Sequence, residues 1–157
     1  MSFTHFPTLA TLAVLVTALG SGQAVHAADK VCKLSISGND LMQYDKKELT
    51  APADCTQIEL TLTHTGKLPA AAMGHNWVLV KSADATAVAN AGASAGLNNS
   101  YQQPGDPRII ASTKTIGGGE STSVTFPTSK LQKGGDYTYL CTFPGHNALM
   151  KGTFHFG

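Results

Sequence analysis

Charge is what this chain has little of. Only 13% of its 157 residues are Asp, Glu, Lys or Arg, the 11 bases nearly cancel the 10 acids, and none of them precedes Asp29. Without a basic patch there is no electrostatic footprint for nucleic acid. Without a strong field of either sign there is little long-range steering, so docking on another protein falls to an apolar face. Long apolar runs are missing as well. Thr8 to Gly20 is apolar or small, but it falls short of the roughly 20 residues that a bilayer-spanning helix needs. With the small-residue pattern Val25-His26-Ala27 behind it, this stretch reads as a secretory signal, residues 1–27, cut after Ala27. No Lys or Arg marks its start, which departs from the usual signal pattern, and no Cys stands at the cut to carry a lipid anchor. Residues 28–157 are then one exported domain without a membrane anchor.

Cysteine is scarce and odd in number, with three in the chain. In an oxidising compartment Cys32 and Cys55 can pair and staple the N-terminal segment to a neighbouring strand. That leaves Cys141 alone, and a free thiol outside the cytoplasm is exposed to oxidation unless it is buried or held by metal. A buried Cys packing as a small hydrophobe is the plain alternative. His146 and Met150 just downstream favour the metal.

Period two dominates what is there. Gln57-Ile-Glu-Leu-Thr-Leu-Thr63 places Ile58, Leu60 and Leu62 on one face, with His64 on the same buried parity. Asn76-Trp-Val-Leu-Val80 is continuously apolar, as expected of a strand covered on both sides. Ser121–Phe126, Tyr137–Cys141 and Gly152–Phe156 add short strands, separated by Gly- and Pro-containing turns. This is the pattern of a Greek-key β-sandwich. One Ala-rich stretch, Ser82 to Leu97, breaks it and predicts a short helical insert, with Ser82 and Asp84 as available caps.

The chemistry concentrates in Cys141-Thr-Phe-Pro-Gly-His-Asn-Ala-Leu-Met150 together with Gly74-His75-Asn76. Two imidazoles, a thiolate and a long, weak thioether are the donor set of electron-transfer copper. Cys141, His146 and Met150 can converge from one loop, and His75 supplies the remaining ligand. Gly74 is either a plain turn glycine or, through its unshielded carbonyl, a weak axial donor. Pro144 and Gly145 shape the loop. Asn76 is placed to tie the His75 segment to the Cys141 loop, and the Phe143 backbone N–H to point at the sulfur. Trp77 reads as core, and His64 as a satisfied buried imidazole that can still titrate. Zinc suits Cys and His donors too, but copper binds more tightly at such a site. Enzyme chemistry is disfavoured, because no second His cluster has ligand spacing: His155 is isolated and His5 and His26 lie in the leader. Copper storage or delivery would favour many Met or His donors, and residues 28–157 hold three Met.

These motifs, with Ser37-Gly-Asn-Asp40, Met73-Gly-His-Asn-Trp-Val78, Gly117 to Phe126 and Cys141 to Gly152, make nearly all of residues 28–157 resemble the azurins, bacterial blue-copper proteins of the cupredoxin family. The resemblance implies a type 1 copper ion held by His75, Cys141 and His146, with Met150 and the Gly74 carbonyl as weak axial donors. It implies a Cys32–Cys55 disulfide and a pH-responsive histidine at His64. It further implies one-electron shuttling in the periplasm between redox proteins such as c-type cytochromes or a periplasmic reductase. The docking face implied is an apolar patch of Met42, Leu68, Met73, Pro144 and Ala148 around His146, on a protein that is monomeric or weakly self-associating.

Overall fold

Among the described residues, eight strands and two α-helices follow one another as β1 (Val31–Gly38), β2 (Glu48–Ala51), β3 (Gln57–His64), α1 (Ala70–Met73), β4 (Val78–Lys81), α2 (Ala85–Ala95), β5 (Ala111–Ser112), β6 (Ser121–Pro127), β7 (Tyr137–Leu140) and β8 (Lys151–Phe156). The computed structural model describes residues 29–157 together with Met1 and Ser2. The expected signal with its cut after Ala27, and His5 and His26 within it, lie outside the described residues.

Two sheets pack face to face. One has the order β1-β3-β6 and the other β2-β8-β7-β4-β5, so strands distant in sequence become neighbours, as a Greek-key sandwich requires. The sheets are mixed: β1 runs parallel to β3 and β2 parallel to β8, while β3/β6, β4/β7 and β7/β8 are antiparallel. In β3 the expected parity holds, with Ile58, Leu60, Leu62 and His64 all buried. The apolar run before β4 is covered on both sides for a visible reason. Trp77 and Leu79 face the other sheet among Phe126, Tyr139 and Phe154, whereas Val78 and Val80 face outward under Val88 and Ala89 of α2.

Several boundaries differ from the sequence reading. The strand expected from Asn76 begins at Val78, because the preceding backbone leaves the ladder: His75 and Ile116 exchange N–H···O bonds of 3.0 and 2.9 Å across an isolated bridge. The strand expected to end at Cys141 ends at Leu140. The helix expected from Ser82 starts at Ala85, after a 3-10 turn, since the Ser82 hydroxyl is engaged by Asp136 at 2.6 Å and Thr138 at 2.9 Å and cannot cap it. Asp84 makes no side-chain cap bond either. Four elements went unanticipated: β1, although Cys32, Leu34 and Ile36 alternate with Lys33, Ser35 and Ser37 and form its inner face, and the short β2, β5 and single-turn α1, whose few residues carry too little pattern to read.

Cys32 and Cys55 are bridged, with Cα atoms 5.8 Å apart. The bridge lies six residues along β1 from Gly38, about 20 Å at the rise of a strand, and so staples the end of the sandwich remote from the His75 region.

Gly92 decides how α2 sits. A Cβ there would stand 2.2 Å from the Tyr101 carbonyl oxygen and 3.1 Å from the Thr142 Cβ, so only glycine lets the helix approach this closely. Ala is intrinsically the better helix former by about 1 kcal/mol. We nevertheless expect Gly92→Ala to lose stability, by about 1–3 kcal/mol of overpacking, measured as a lowered midpoint of urea unfolding. An unchanged or raised midpoint would contradict the close packing.

Candidate metal centre

The loops at one pole of the sandwich bring together the groups singled out from the sequence. A nitrogen of His75, the sulfur of Cys141 and a nitrogen of His146 lie within 4.8 Å of one another, and all three residues are buried. The Cys141 sulfur stands 3.8 Å from His146 Nδ1 and 3.9 Å from the Gly74 carbonyl oxygen. Met150 is fully buried beside them. Its methyl and the His75 ring close on Gly38, where a Cβ would be 2.7 Å from His75 Cδ2 and 3.1 Å from Met150 Cε. At Gly74 a Cβ would strike the Ala70 carbonyl at 2.4 Å and Thr115 Cγ2 at 2.6 Å. Side-chain-free positions thus let backbone and ligands crowd one small volume.

Local hydrogen bonds aim each donor. His75 Nε2–H donates to the Asn39 carbonyl at 2.8 Å, which leaves Nδ1 as the lone-pair nitrogen. That Nδ1 is buried and has no hydrogen-bond partner among the described residues, an unmet acceptor of the kind that folded proteins rarely leave without a function. The 141–150 loop is a closed series of backbone bonds: Cys141 N–H to the Met150 carbonyl, His146 N–H to Phe143, and Met150 N–H to His146, at 2.8–3.0 Å. Gly145, with φ 83°, makes the turn that presents His146. The donor set, its burial and the unpartnered Nδ1 fit a thiophilic ion such as copper.

Asn76 sits where the sequence placed it. Its Nδ2 donates to Thr142 Oγ1 and to the Ser100 carbonyl, both at 2.7 Å, and its Oδ1 accepts the Thr142 N–H at 2.9 Å. Tyr44 Oη–H donates to the Asn76 carbonyl. Phe143 stacks its ring on His146 at 4.3 Å between centroids. His64 stacks on His75 at 4.2 Å, with Nε2–H donating to the Met73 carbonyl and Nδ1 accepting the Gly66 N–H. Both its nitrogens are engaged, as the plain reading had it, and the stack is the contact through which the implied coupling would act. Sequence reasoning missed Asn39, Tyr44, Ser100 and Thr142, because none carries a ligand signature and each acts through a residue remote in the chain. Of the expected patch, Leu68, Pro144 and Ala148 are exposed and Met42 and Met73 half-buried. Leu41 and Leu149, also missed, are 69% and 54% exposed, against 42% for Leu68.

Burial decides the protonation of the metal-free site. It pushes the Cys141 thiol up to about 11, against the N–H groups of Asn76 and Phe143 that favour the thiolate. Burial, then the neighbouring His75 and His64 rings, push His146 down to about 4. Burial likewise lowers His75, with the Asn39 carbonyl opposing. At neutral pH the three ligands are therefore two free imidazoles and an intact thiol, with no uncompensated buried charge.

Comparison with known proteins gives a consistent result. A family model described as copper binding proteins, plastocyanin/azurin family, matches residues 30–156. An azurin of Bordetella pertussis is 56% identical over 122 residues, covering 78% of this chain and 81% of that protein. An azurin of Alcaligenes faecalis is 53% identical over 126 residues, covering 80% and 98%. Among solved structures, the azurin Az-iso2 of Methylomonas sp. strain J superposes with a TM-score of 0.78 at 45% identity, covering 80% of this chain and 98% of that one.

The protonation pattern sets the pH dependence of metal uptake. Between the lowered imidazoles and the thiol at about 11, each bound ion displaces one proton, that of Cys141. Affinity for redox-inert Zn(II) should rise about tenfold per pH unit through the neutral range. Calorimetry in buffers of different ionisation enthalpy should find close to one proton released per zinc at pH 7, and almost none in Cys141→Ser. Release of no proton by the wild type would mean that the thiolate is already formed.

Proposed function

The chain belongs to the plastocyanin/azurin family of copper-binding proteins, and from that membership we propose how its own residues do the family's work. The protein is a type 1 copper electron carrier and not an enzyme. Copper supplies a one-electron couple, Cu(I)/Cu(II), when bound. In this reading His75 Nδ1, Cys141 Sγ and His146 Nδ1 would hold the ion strongly, and the Met150 thioether and Gly74 carbonyl weakly. The observation that carries it is the buried convergence of three donor atoms around an imidazole nitrogen with no other partner.

Each neighbouring group has a definable task. Asn39 fixes the His75 tautomer. The N–H groups of Asn76 and Phe143 face the sulfur and stabilise negative charge on it, which tunes the reduction potential. The sandwich core and the Asn76–Thr142 bonds hold ligand positions that serve both oxidation states, so little rearrangement accompanies electron exchange. Burial keeps water from the donors. His146, 3% exposed, offers only its ring edge, through which electrons enter and leave.

Exchange partners in this reading are c-type cytochromes or a reductase of the periplasm, reached after removal of residues 1–27. They dock on Met42, Leu68, Met73, Pro144 and Ala148, widened by Leu41 and Leu149. The near balance of 11 bases and 10 acids supports apolar rather than electrostatic docking. The protein works as a monomer in this reading.

Two outcomes test this reading. Residues 28–157 titrated with Cu(II) should develop an intense blue absorption that saturates at one equivalent and is absent in Cys141→Ser; a colour indifferent to Cys141 would refute the ligand set. Met73→Lys should leave that spectrum unchanged and slow electron exchange with a c-type cytochrome. Exchange at the wild-type rate would remove the patch from the account.

A further inference from the structure

Tyr101 follows Ser100, whose carbonyl serves the Asn76 tie, but the Tyr101 ring takes no part in that tie. Tyr101 and Ser100 have φ values of 52° and 54°, two consecutive non-glycine residues in the left-handed region. Such backbone persists only where its surroundings enforce it, and it gathers at functional sites. Here the enforcement is visible. Tyr101 N–H donates to the Gly96 carbonyl at 2.9 Å, the Ser100 carbonyl is gripped by Asn76 Nδ2 at 2.7 Å and Thr115 Oγ1 at 3.0 Å, and the Tyr101 carbonyl occupies the space left by the missing Gly92 side chain.

The result is the position of one ring. Tyr101, half-buried, sets its phenol edge-on against Phe143 with centroids 4.8 Å apart and planes at 63°. Phe143 in turn lies 4.3 Å from His146, and the Phe143 carbonyl accepts the His146 N–H at 3.0 Å. The Tyr101–Phe143 pair has the edge-to-face form and spacing of favourable aromatic contact, and the Phe143–His146 pair is closer still. The Tyr101 hydroxyl has no hydrogen-bond partner among the described residues, so the phenol is not there to satisfy a polar group. Three rings in contact run from His146 to Tyr101, whose carbonyl lies against Gly92 of α2.

We infer that Tyr101 is a lateral electron port: a redox group beside it exchanges an electron with the metal centre through Tyr101, Phe143 and His146, without using the apolar end face. Electron tunnelling weakens steeply across gaps, and the ring contacts hold the through-space steps along this line to van der Waals distance. One electron passes from the external donor to the centre, or the reverse. Tyr101 itself is neither oxidised nor deprotonated and mediates the coupling only. The inference rests on the assignment of His146 as a ligand.

The test attaches a photo-oxidisable ruthenium complex to an imidazole introduced by Gln103→His, on the exposed loop beside Tyr101. The same label on the native His155 of β8 serves as the control, in copper-loaded residues 28–157. Light-triggered electron transfer from position 103 should slow several-fold in Tyr101→Leu and keep its rate in Tyr101→Phe, while the His155 rate stays constant. In the zinc-loaded protein, Tyr101→Leu should shift the Phe143 ring protons in the NMR spectrum, which reads the stack independently of electron transfer. An unchanged rate from position 103, an equal loss from both labels, or a Tyr101→Phe variant as slow as Tyr101→Leu would overturn the port. Failure of the ligand assignment shows separately, as absence of the blue band in the parent protein.

Discussion

Two hydrogen bonds between the Asn76 carboxamide and Thr142 join the segment that carries His75 to the segment that carries Cys141. Both residues are buried to within 1%, so neither bond can be exchanged for water, and loss of either partner would strand a polar group at a cost of about 1–3 kcal/mol. Each neighbouring constraint bears on this tie. Tyr44 fixes the Asn76 carbonyl, the Ser100 carbonyl takes its remaining N–H, and the His75–Ile116 bridge holds the backbone just before it. The donors meet because their carriers are bolted together at this point.

The sandwich supplies the rest of the frame. Cys141 and Met150 belong to the same buried cluster as Trp77, Tyr139 and Phe154, so the loop that carries two donors is an extension of the core. That placement makes the site dry, and dryness has an electrical consequence. A thiolate or an imidazolium is disfavoured there, which keeps the empty site neutral and makes its ligands wait for an ion to displace the thiol proton.

What could be read from the sequence was what is encoded locally. The spacing of Cys141, His146 and Met150 pointed to a metal loop, and the fold brings Cys141 and His146 within reach of His75; the parity of Ile58, Leu60 and Leu62 placed His64 indoors, where it lies. The unbroken run Trp77–Val80 announces cover on both faces, which α2 and the opposite sheet supply. Strand and helix ends were less legible, because they turn on tertiary events: His75 leaves its ladder to pair with Ile116, and Ser82 spends its hydroxyl on Asp136 and Thr138. β1 was legible and passed over, since Cys32, Leu34 and Ile36 alternate with polar neighbours, whereas β2 is only four residues long and is recognisable chiefly by its parallel pairing with β8, far along the chain. The supporting residues Asn39, Tyr44 and Ser100 are ordinary in sequence and acquire their roles only when the fold brings a particular carbonyl or side chain within reach.

The central claim is that the protein, and not the ion, sets the ligand geometry. Crystal structures of the same protein without metal and loaded with copper test it most directly. The account predicts that His75, Cys141, His146 and the Asn76–Thr142 bonds superimpose between the two, with the donor atoms already converged in the metal-free form. A metal-free structure in which His146 or Cys141 has swung out to solvent, or in which the Asn76 bonds are broken, would show that the ion assembles the site and would contradict it.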